Sequence, residues 1–211
     1  MPFITRLWSL VTMNKPLLII FTKNPVAGRV KTRLAASTSP DFALKIYQRL
    51  RKHTLLVVKQ VDTDVAVWYS DHIPDNDIFS SCRAHLYLQK EGNLGEKMLE
   101  AFTEGFREGF ERIVLIGTDC PELNAKIITS ALNALNSHEV IIGPAKDGGY
   151  YLIGMRTLLP ELFTDITWST ASVLCETEEK LKQQGTNYTL LPVLSDVDTL
   201  EDLLNIENGL P

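Results

Sequence analysis

Four cations, Lys23, Arg29, Lys31 and Arg33, fall within eleven residues of the stretch Thr22-Lys23-Asn24-Pro25-Val26-Ala27-Gly28-Arg29-Val30-Lys31-Thr32-Arg33. Packing does not ask for this combination. Lysine and arginine are seldom buried without a partner, and proline with glycine marks an ordered turn. A loop with free backbone N–H groups and basic side chains suits a polyphosphate. Taken alone, such a loop is more often a solvated turn. Its place directly after the apolar run 17–21 raises the ligand reading, because open α/β sheets bind ligands at the carboxyl ends of their strands. Lys23, Gly28, Arg29, Lys31 and Arg33 are therefore the candidate phosphate-binding residues.

Three acidic or glycine-rich segments could complete such a site. Gly117-Thr118-Asp119-Cys120-Pro121 follows the most apolar run of the chain. A carboxylate there can hold a hard divalent cation, since Mg²⁺ commonly takes one or two protein carboxylates together with substrate phosphates. The alternative is that Asp119 caps the next helix. Gly143-Pro144-Ala145-Lys146-Asp147-Gly148-Gly149-Tyr150-Tyr151 contains two adjacent glycines that let backbone approach a ligand. Asp147-Gly148 by itself is an ordinary hairpin signal. Lys146, Asp147, Gly148, Gly149 and Tyr150 are the substrate-side candidates, and Asp147 is the one general-base candidate. Asp196-Val197-Asp198-Thr199 precedes Glu201 and Asp202, a pattern that fits helix capping. With Asp119, however, Asp196 and Asp198 offer a two-sided carboxylate clamp for Mg²⁺ or Mn²⁺. Trp168-Ser169-Thr170 opens a helix with Ser169 or Thr170 as N-cap, and Trp168 is a candidate substrate contact.

The elements that must position these residues alternate in type. Strands are expected at 17–22, 65–69, 85–89, 112–117, 140–143, 150–155 and 188–191, and helices at 41–60, 94–110, 124–135, 170–184 and 199–207. Such alternation predicts an α/β sheet built from crossover units. Residues 15–211 are expected to form a single domain, preceded by an appendage at 1–14 with Met13 as an alternative start.

Bulk properties narrow the partners. A net charge of −5 leaves no electrostatic footprint for nucleic acid or an anionic membrane, so the basic loop favours a small anionic ligand. No run approaches the ~18 apolar residues of a membrane span. Cys82, Cys120 and Cys175 form no CxxC pair or zinc spacing, which makes a reducing cytoplasm the expected compartment. His53, His72, His85 and His138 lack ligand-like spacing and are expected to be structural or superficial. The GxxxxGK[ST] spacing of a P-loop is absent.

The ordered set Lys23-Asn24-Pro25, Gly28-Arg29-Val30-Lys31-Thr32-Arg33-Leu34, Gly117-Thr118-Asp119-Cys120-Pro121, Pro144-Ala145-Lys146-Asp147-Gly148-Gly149-Tyr150-Tyr151, Trp168-Ser169-Thr170 and Asp196-Val197-Asp198-Thr199 resembles the small bacterial glycosyltransferase-like proteins of the nucleotide-diphospho-sugar transferase superfamily. It is similar in pattern to the molybdenum-cofactor and phospholactate nucleotidyltransferases. The resemblance spans nearly all of 17–208. It implies a GT-A-like three-layer α/β/α sandwich with a mostly parallel sheet. It also implies Gly28 to Arg33 around nucleotide phosphates, Asp119 as the metal-binding carboxylate, Asp198 as a second ligand, and 147–149 on the acceptor or sugar side. The first loop is poorer in glycine than in the nucleotidyltransferases, and 117–119 carries one carboxylate where many glycosyltransferases carry two.

The expected activity is transfer from a nucleotide-bound donor with a divalent cation, foremost glycosyl transfer to an acceptor. Nucleotidyl transfer with release of pyrophosphate and a non-catalytic nucleotide sensor are the alternatives. Asp119, Asp147 and Lys31 are the candidate catalytic residues, Lys31 by stabilising developing negative charge.

Overall fold

The structure is a computed structural model that describes residues 16–82 and 84–206. The expectations for an appendage at 1–14 and a start at Met13 lie outside the described residues.

Among the described residues, seven strands form one sheet in the order β3-β2-β1-β4-β6-β5-β7. They are β1 (Pro16–Thr22), β2 (Asp64–Tyr69), β3 (His85–Leu88), β4 (Arg112–Ile116), β5 (Val140–Pro144), β6 (Tyr150–Met155) and β7 (Tyr188–Leu190). All neighbouring pairs are parallel except those of β6, which runs antiparallel to both β4 and β5. The chain therefore reads as a mostly parallel α/β sheet, as its alternating pattern predicts. Chain order proceeds from β1 outward through β2 and β3, then resumes on the other side of β1 at β4. The carboxyl ends of β1 and β4 thus flank the topological switch point, where α/β sheets leave a crevice. Because β6 is reversed, its first residues, Tyr150 and Tyr151, arrive at that same end.

Among the described residues, six α-helices accompany the sheet: α1 (Thr32–Ser37), α2 (Pro40–Val58), α3 (Leu94–Arg107), α4 (Ala125–Ala134), α5 (Val173–Gln184) and α6 (Leu200–Leu204). Alternate residues of the central strands face opposite layers. Leu18 and Ile20 of β1 pack with Leu55 and Val58 of α2 and Ile128 and Leu132 of α4. Leu17 and Ile19 pack with Met98 and Phe102 of α3 and Leu181 of α5. Both faces of β1 and β4 are covered, which explains why these strands read as continuous apolar runs. A small third cluster joins Leu34 of α1, Ile46 and Leu50 of α2, and Val197 just before α6.

Helix starts follow local chemistry. Ser39 accepts the Phe42 N–H and Pro40 opens α2, while Asn93 and Glu96 form a reciprocal capping box on α3. Two helix expectations need correction. The basic loop does not stay irregular to Arg33, because α1 begins at Thr32. The helix expected over 170–184 begins at Val173, so neither Ser169 nor Thr170 is its N-cap. Ser169 has a left-handed backbone (φ 65°), and the Thr170 hydroxyl donates to the Thr167 carbonyl at 2.7 Å, which closes a turn before the helix can start.

Candidate active-site cleft

A cleft of about 530 Å³ opens at the carboxyl ends of β1 and β4. Its floor is built from strand ends. Lys23 follows β1, Gly117, Thr118 and Asp119 follow β4, and Ser70 and Gln89 follow β2 and β3. Leu94, Lys97 and Met98 of α3 form one wall, and Tyr150 of β6 enters between.

The carboxylates converge because two loops are tied together. Val197 N–H donates to the Asp119 carbonyl at 3.0 Å, and the Val197 side chain is fully buried against α1 and α2. In an extended segment, residues i and i+2 share a side. Burying Val197 therefore turns Asp196 and Asp198 together toward the cleft, which both line. Capping of α6 falls to Thr199 and Asp202, which form a capping box, and so leaves the Asp198 carboxylate available. Asn124 caps α4, which removes that role from Asp119.

Lys31 sits between the acidic loops. Its Nζ lies 2.6 Å from Asp119 Oδ1 and 2.9 Å from Asp198 Oδ1, and Arg33 lies 3.8 Å from Asp198 Oδ2. The Lys31 side chain is 4% exposed, whereas those of Asp119 and Asp198 are 44% and 41% exposed. Asp119 Oδ1 is buried and faces the Lys31 ammonium. Burial opposes the Lys31 charge, but the two aspartates outweigh it and hold the ammonium above the ordinary lysine value. Burial first, and then the charge of Asp119, push the Asp196 carboxyl up to about 7. Among the described residues, no group of three or more histidine, cysteine, aspartate or glutamate side chains is already arranged to hold a metal ion.

A second network fixes the β1 end. The Tyr47 hydroxyl of α2 accepts the Lys23 N–H at 2.7 Å, donates to the Lys23 carbonyl at 3.1 Å, and meets Thr22 and Thr118 hydroxyls at 3.2 and 3.3 Å. Buried Asn24 accepts the Asp71 N–H at 3.0 Å and donates to the His72 carbonyl at 2.9 Å, pinning the basic loop to the segment after β2.

Of the expected site residues, Lys23, Lys31, Arg33, Asp119, Tyr150, Asp196 and Asp198 line this one cleft. The others lie outside its lining. Gly28 and Arg29 are exposed in the loop, with Gly28 at φ 78°. Lys146, Asp147, Gly148 and Gly149 form the β5–β6 turn: Asp147 Oδ1 accepts the Gly149 N–H at 2.9 Å, and Gly148 packs against the Ala171 backbone too closely for a Cβ. The hairpin reading thus accounts for Asp147, whose charge still reaches Asp196. Trp168 packs edge-on to Tyr150 with ring centres 6.4 Å apart, rather than lining the cleft. The Tyr150 hydroxyl is buried without a hydrogen-bond partner among the described residues, and burial raises its pKa. Tyr47, Gln89 and Lys97 are cleft residues that the sequence reading missed. Tyr47 carries the helical apolar period and so reads as core, while Gln89 and Lys97 sit in no motif.

Residues 54–170 match the DUF2064 family, described as uncharacterized proteins conserved in bacteria. The chain belongs to this family. The DUF2064 chain is also 33% identical to a protein from Desulfovibrio desulfuricans G20 described as a candidate nucleotide-diphospho-sugar transferase, with a TM-score of 0.83 over 90% of this chain and 85% of that one. This places it in the nucleotide-diphospho-sugar transferase superfamily. At the level of fold alone, it is similar to CMP:2-keto-3-deoxy-manno-octonic acid synthetase complexed with CTP (12% identity, TM-score 0.57, 90% and 96% of the two chains). It also shares its fold with a manganese complex of Rv0371c from Mycobacterium tuberculosis H37Rv (14% identity, TM-score 0.52, 90% and 96%). None of the curated proteins matches this chain. None of its described helices is long and apolar enough to cross a membrane.

Proposed function

We propose that this chain is a transferase that takes a group, foremost a glycosyl group, from a nucleotide-diphosphate donor bound in the β1–β4 cleft with a divalent cation. The observation that carries this reading is the meeting of Asp119 and Asp198, from separate loops, around one cationic centre at the topological switch point. Two carboxylate oxygens facing one positive centre form an all-oxygen donor set that fits a hard cation. Asp119 and Asp198 would hold it, with Asp196 beside them. Bound there, the cation would neutralise charge on the leaving diphosphate.

The chain's own residues do the rest. Lys23 is held at the end of β1 by the Tyr47 hydroxyl, which fixes its backbone at the cleft floor, where it would meet donor phosphates. Lys31 and Arg33 contribute positive charge from the start of α1, where it opposes the negative charge developing on the leaving group. Phe21, Leu94 and Met98 supply apolar cleft surface, and Gln89 and Ser70 supply polar groups that can orient the donor. The fold-level likeness to a CTP-bound synthetase supports a second reading, nucleotidyl transfer to a phosphorylated acceptor. The turn that engages Asp147 favours it further, because attack by an existing phosphate oxyanion needs no general base.

A thermal-shift panel of nucleoside diphosphates, triphosphates and nucleotide sugars, each with and without Mn²⁺, tests the proposal, with products read by mass spectrometry. Metal-dependent stabilisation that disappears in Asp119→Ala is the expected outcome. Released nucleoside diphosphate or pyrophosphate assigns the reaction. A negative panel in the folded protein refutes nucleotide use, and binding without turnover would make the chain a sensor.

A further inference from the structure

We infer that Lys31 is the resident cation of the acidic site, and that a divalent metal enters only by displacing its ammonium from Asp119 and Asp198 onto incoming phosphate. The inference rests on the functional reading above for the identity of the arriving phosphate. The competition itself follows from geometry. One nitrogen lies 2.6 and 2.9 Å from the two oxygens that a metal would need. A Mg²⁺ ion takes oxygen ligands at about 2.0–2.1 Å. Nitrogen and metal cannot both fill that space, and a dication beside a fixed ammonium would meet strong repulsion in a partly desolvated cleft.

Several features show that the ammonium is built in rather than resting there. The Lys31 side chain is 4% exposed, unlike Arg33 nearby at 70%. Its backbone lies in the left-handed region at φ 47° and ψ 47°, a conformation that a non-glycine residue keeps only when its surroundings impose it. Lys31 caps α1 without any side-chain hydrogen bond to the helix, so its side chain is committed to the carboxylates. Asp198 has Arg33 as a second cation, whereas among the described residues Asp119 Oδ1 has Lys31 alone, so departure of Lys31 leaves the stronger vacancy at Asp119.

The consequence is ordered chemistry. Without phosphate, the ammonium stays between Asp119 and Asp198 and metal binding is weak. Diphosphate supplies a new acceptor for Lys31 and brings charge that offsets the dication. Metal and nucleotide therefore raise one another's affinity, by the same factor in each direction.

The test compares Mn²⁺ binding alone, by electron paramagnetic resonance of the free ion, in wild type and Lys31→Met. Methionine keeps the length of the side chain and removes its charge. The variant should bind Mn²⁺ at least about tenfold tighter than wild type. Equal or weaker binding by a variant that keeps its circular dichroism and melting transition overturns the inference. On the wild type, the ¹⁵N ammonium signal of Lys31 should persist in Mg²⁺ alone and shift when inorganic pyrophosphate is added with Mg²⁺. A shift with Mg²⁺ alone, or none with both, also overturns it. If Lys31→Met gains metal affinity while no nucleotide binds either protein, the inference stands and the functional reading fails. If nucleotides bind and Lys31→Met gains nothing, the reverse holds.

Discussion

Among the described residues, two buried cations, Lys31 and Arg51, lie in or beside the cleft, and their surroundings differ. Arg51 donates to both oxygens of Asp77 at 2.7 and 2.8 Å, its Nε donates to the Thr22 hydroxyl at 3.1 Å, and its guanidinium covers the Phe79 ring. Asp77 also accepts the Tyr69 hydroxyl at 2.7 Å. Burial opposes its charge, yet the hydrogen bonds from Tyr69 and Arg51 hold its carboxyl below the ordinary aspartate value. Both side chains are closed off, at 3% and 7% exposure. Lys31 is as deeply buried, but its partners are 44% and 41% exposed and open onto the cleft. A charge pair with every acceptor filled anchors the end of β1 as scaffold. A pair left open on one side retains capacity for something that arrives from solution.

This contrast can be broken or sharpened by substitution. The largest loss of stability should follow Arg51→Ala, which leaves Asp77 charged and buried and should cost about 3–5 kcal/mol in urea unfolding. Asp119→Ala should behave oppositely, changing stability by less than ~1 kcal/mol because its partner retains Asp198 and the carboxylate is half exposed. Turnover, or metal-dependent nucleotide binding, should fall by about 10²-fold or more. Equal stability losses in the two variants would erase the distinction between scaffold and site.

Asp196 gives a pH test of the open cluster. Its carboxyl is raised from 3.8 to about 7, so the folded chain binds this proton more tightly than the unfolded chain does. The stabilisation is complete below about pH 4 and is lost as the pH rises to about 7. In EDTA, Asp196→Asn should therefore raise the melting temperature above wild type more at pH 8 than at pH 5. A gap independent of pH would contradict the assignment. The smallest effect should come from Tyr150→Phe, which removes a buried hydroxyl that has no partner among the described residues. Its stability should stay within about 0.5 kcal/mol of wild type or rise slightly, as read by calorimetry.

Much of the fold was legible because burial writes itself into the sequence. The runs at β1 and β4 are apolar on both faces, and α3 repeats Met98, Phe102 and Phe106 on its packed side. The starts of α1 and α5 were not legible. Both lie in polar, turn-rich stretches where a charged or hydroxyl residue fits a loop as well as a helix, and tertiary contacts decide. At the site, Lys31 was visible as part of a basic loop that packing does not ask for, and Asp119 and Asp198 as carboxylates that fit either helix capping or a cation. Their mutual contact was not visible, because it depends on Val197 docking against α1 and α2 almost eighty residues beyond Asp119 in sequence. Tyr47 was hidden for the opposite reason: its ring satisfies the helical period, and only its hydroxyl reaches the cleft.

The most direct measurement is a crystal structure of the wild-type chain with Mn²⁺ and the nucleotide ligand that stabilises it most, with the metal located by anomalous scattering. The expected result is a manganese peak between Asp119 and Asp198, with diphosphate oxygens facing Lys31 at the β1–β4 cleft. A bound nucleotide whose diphosphate lies away from these residues, or whose manganese is held elsewhere, would contradict the assignment.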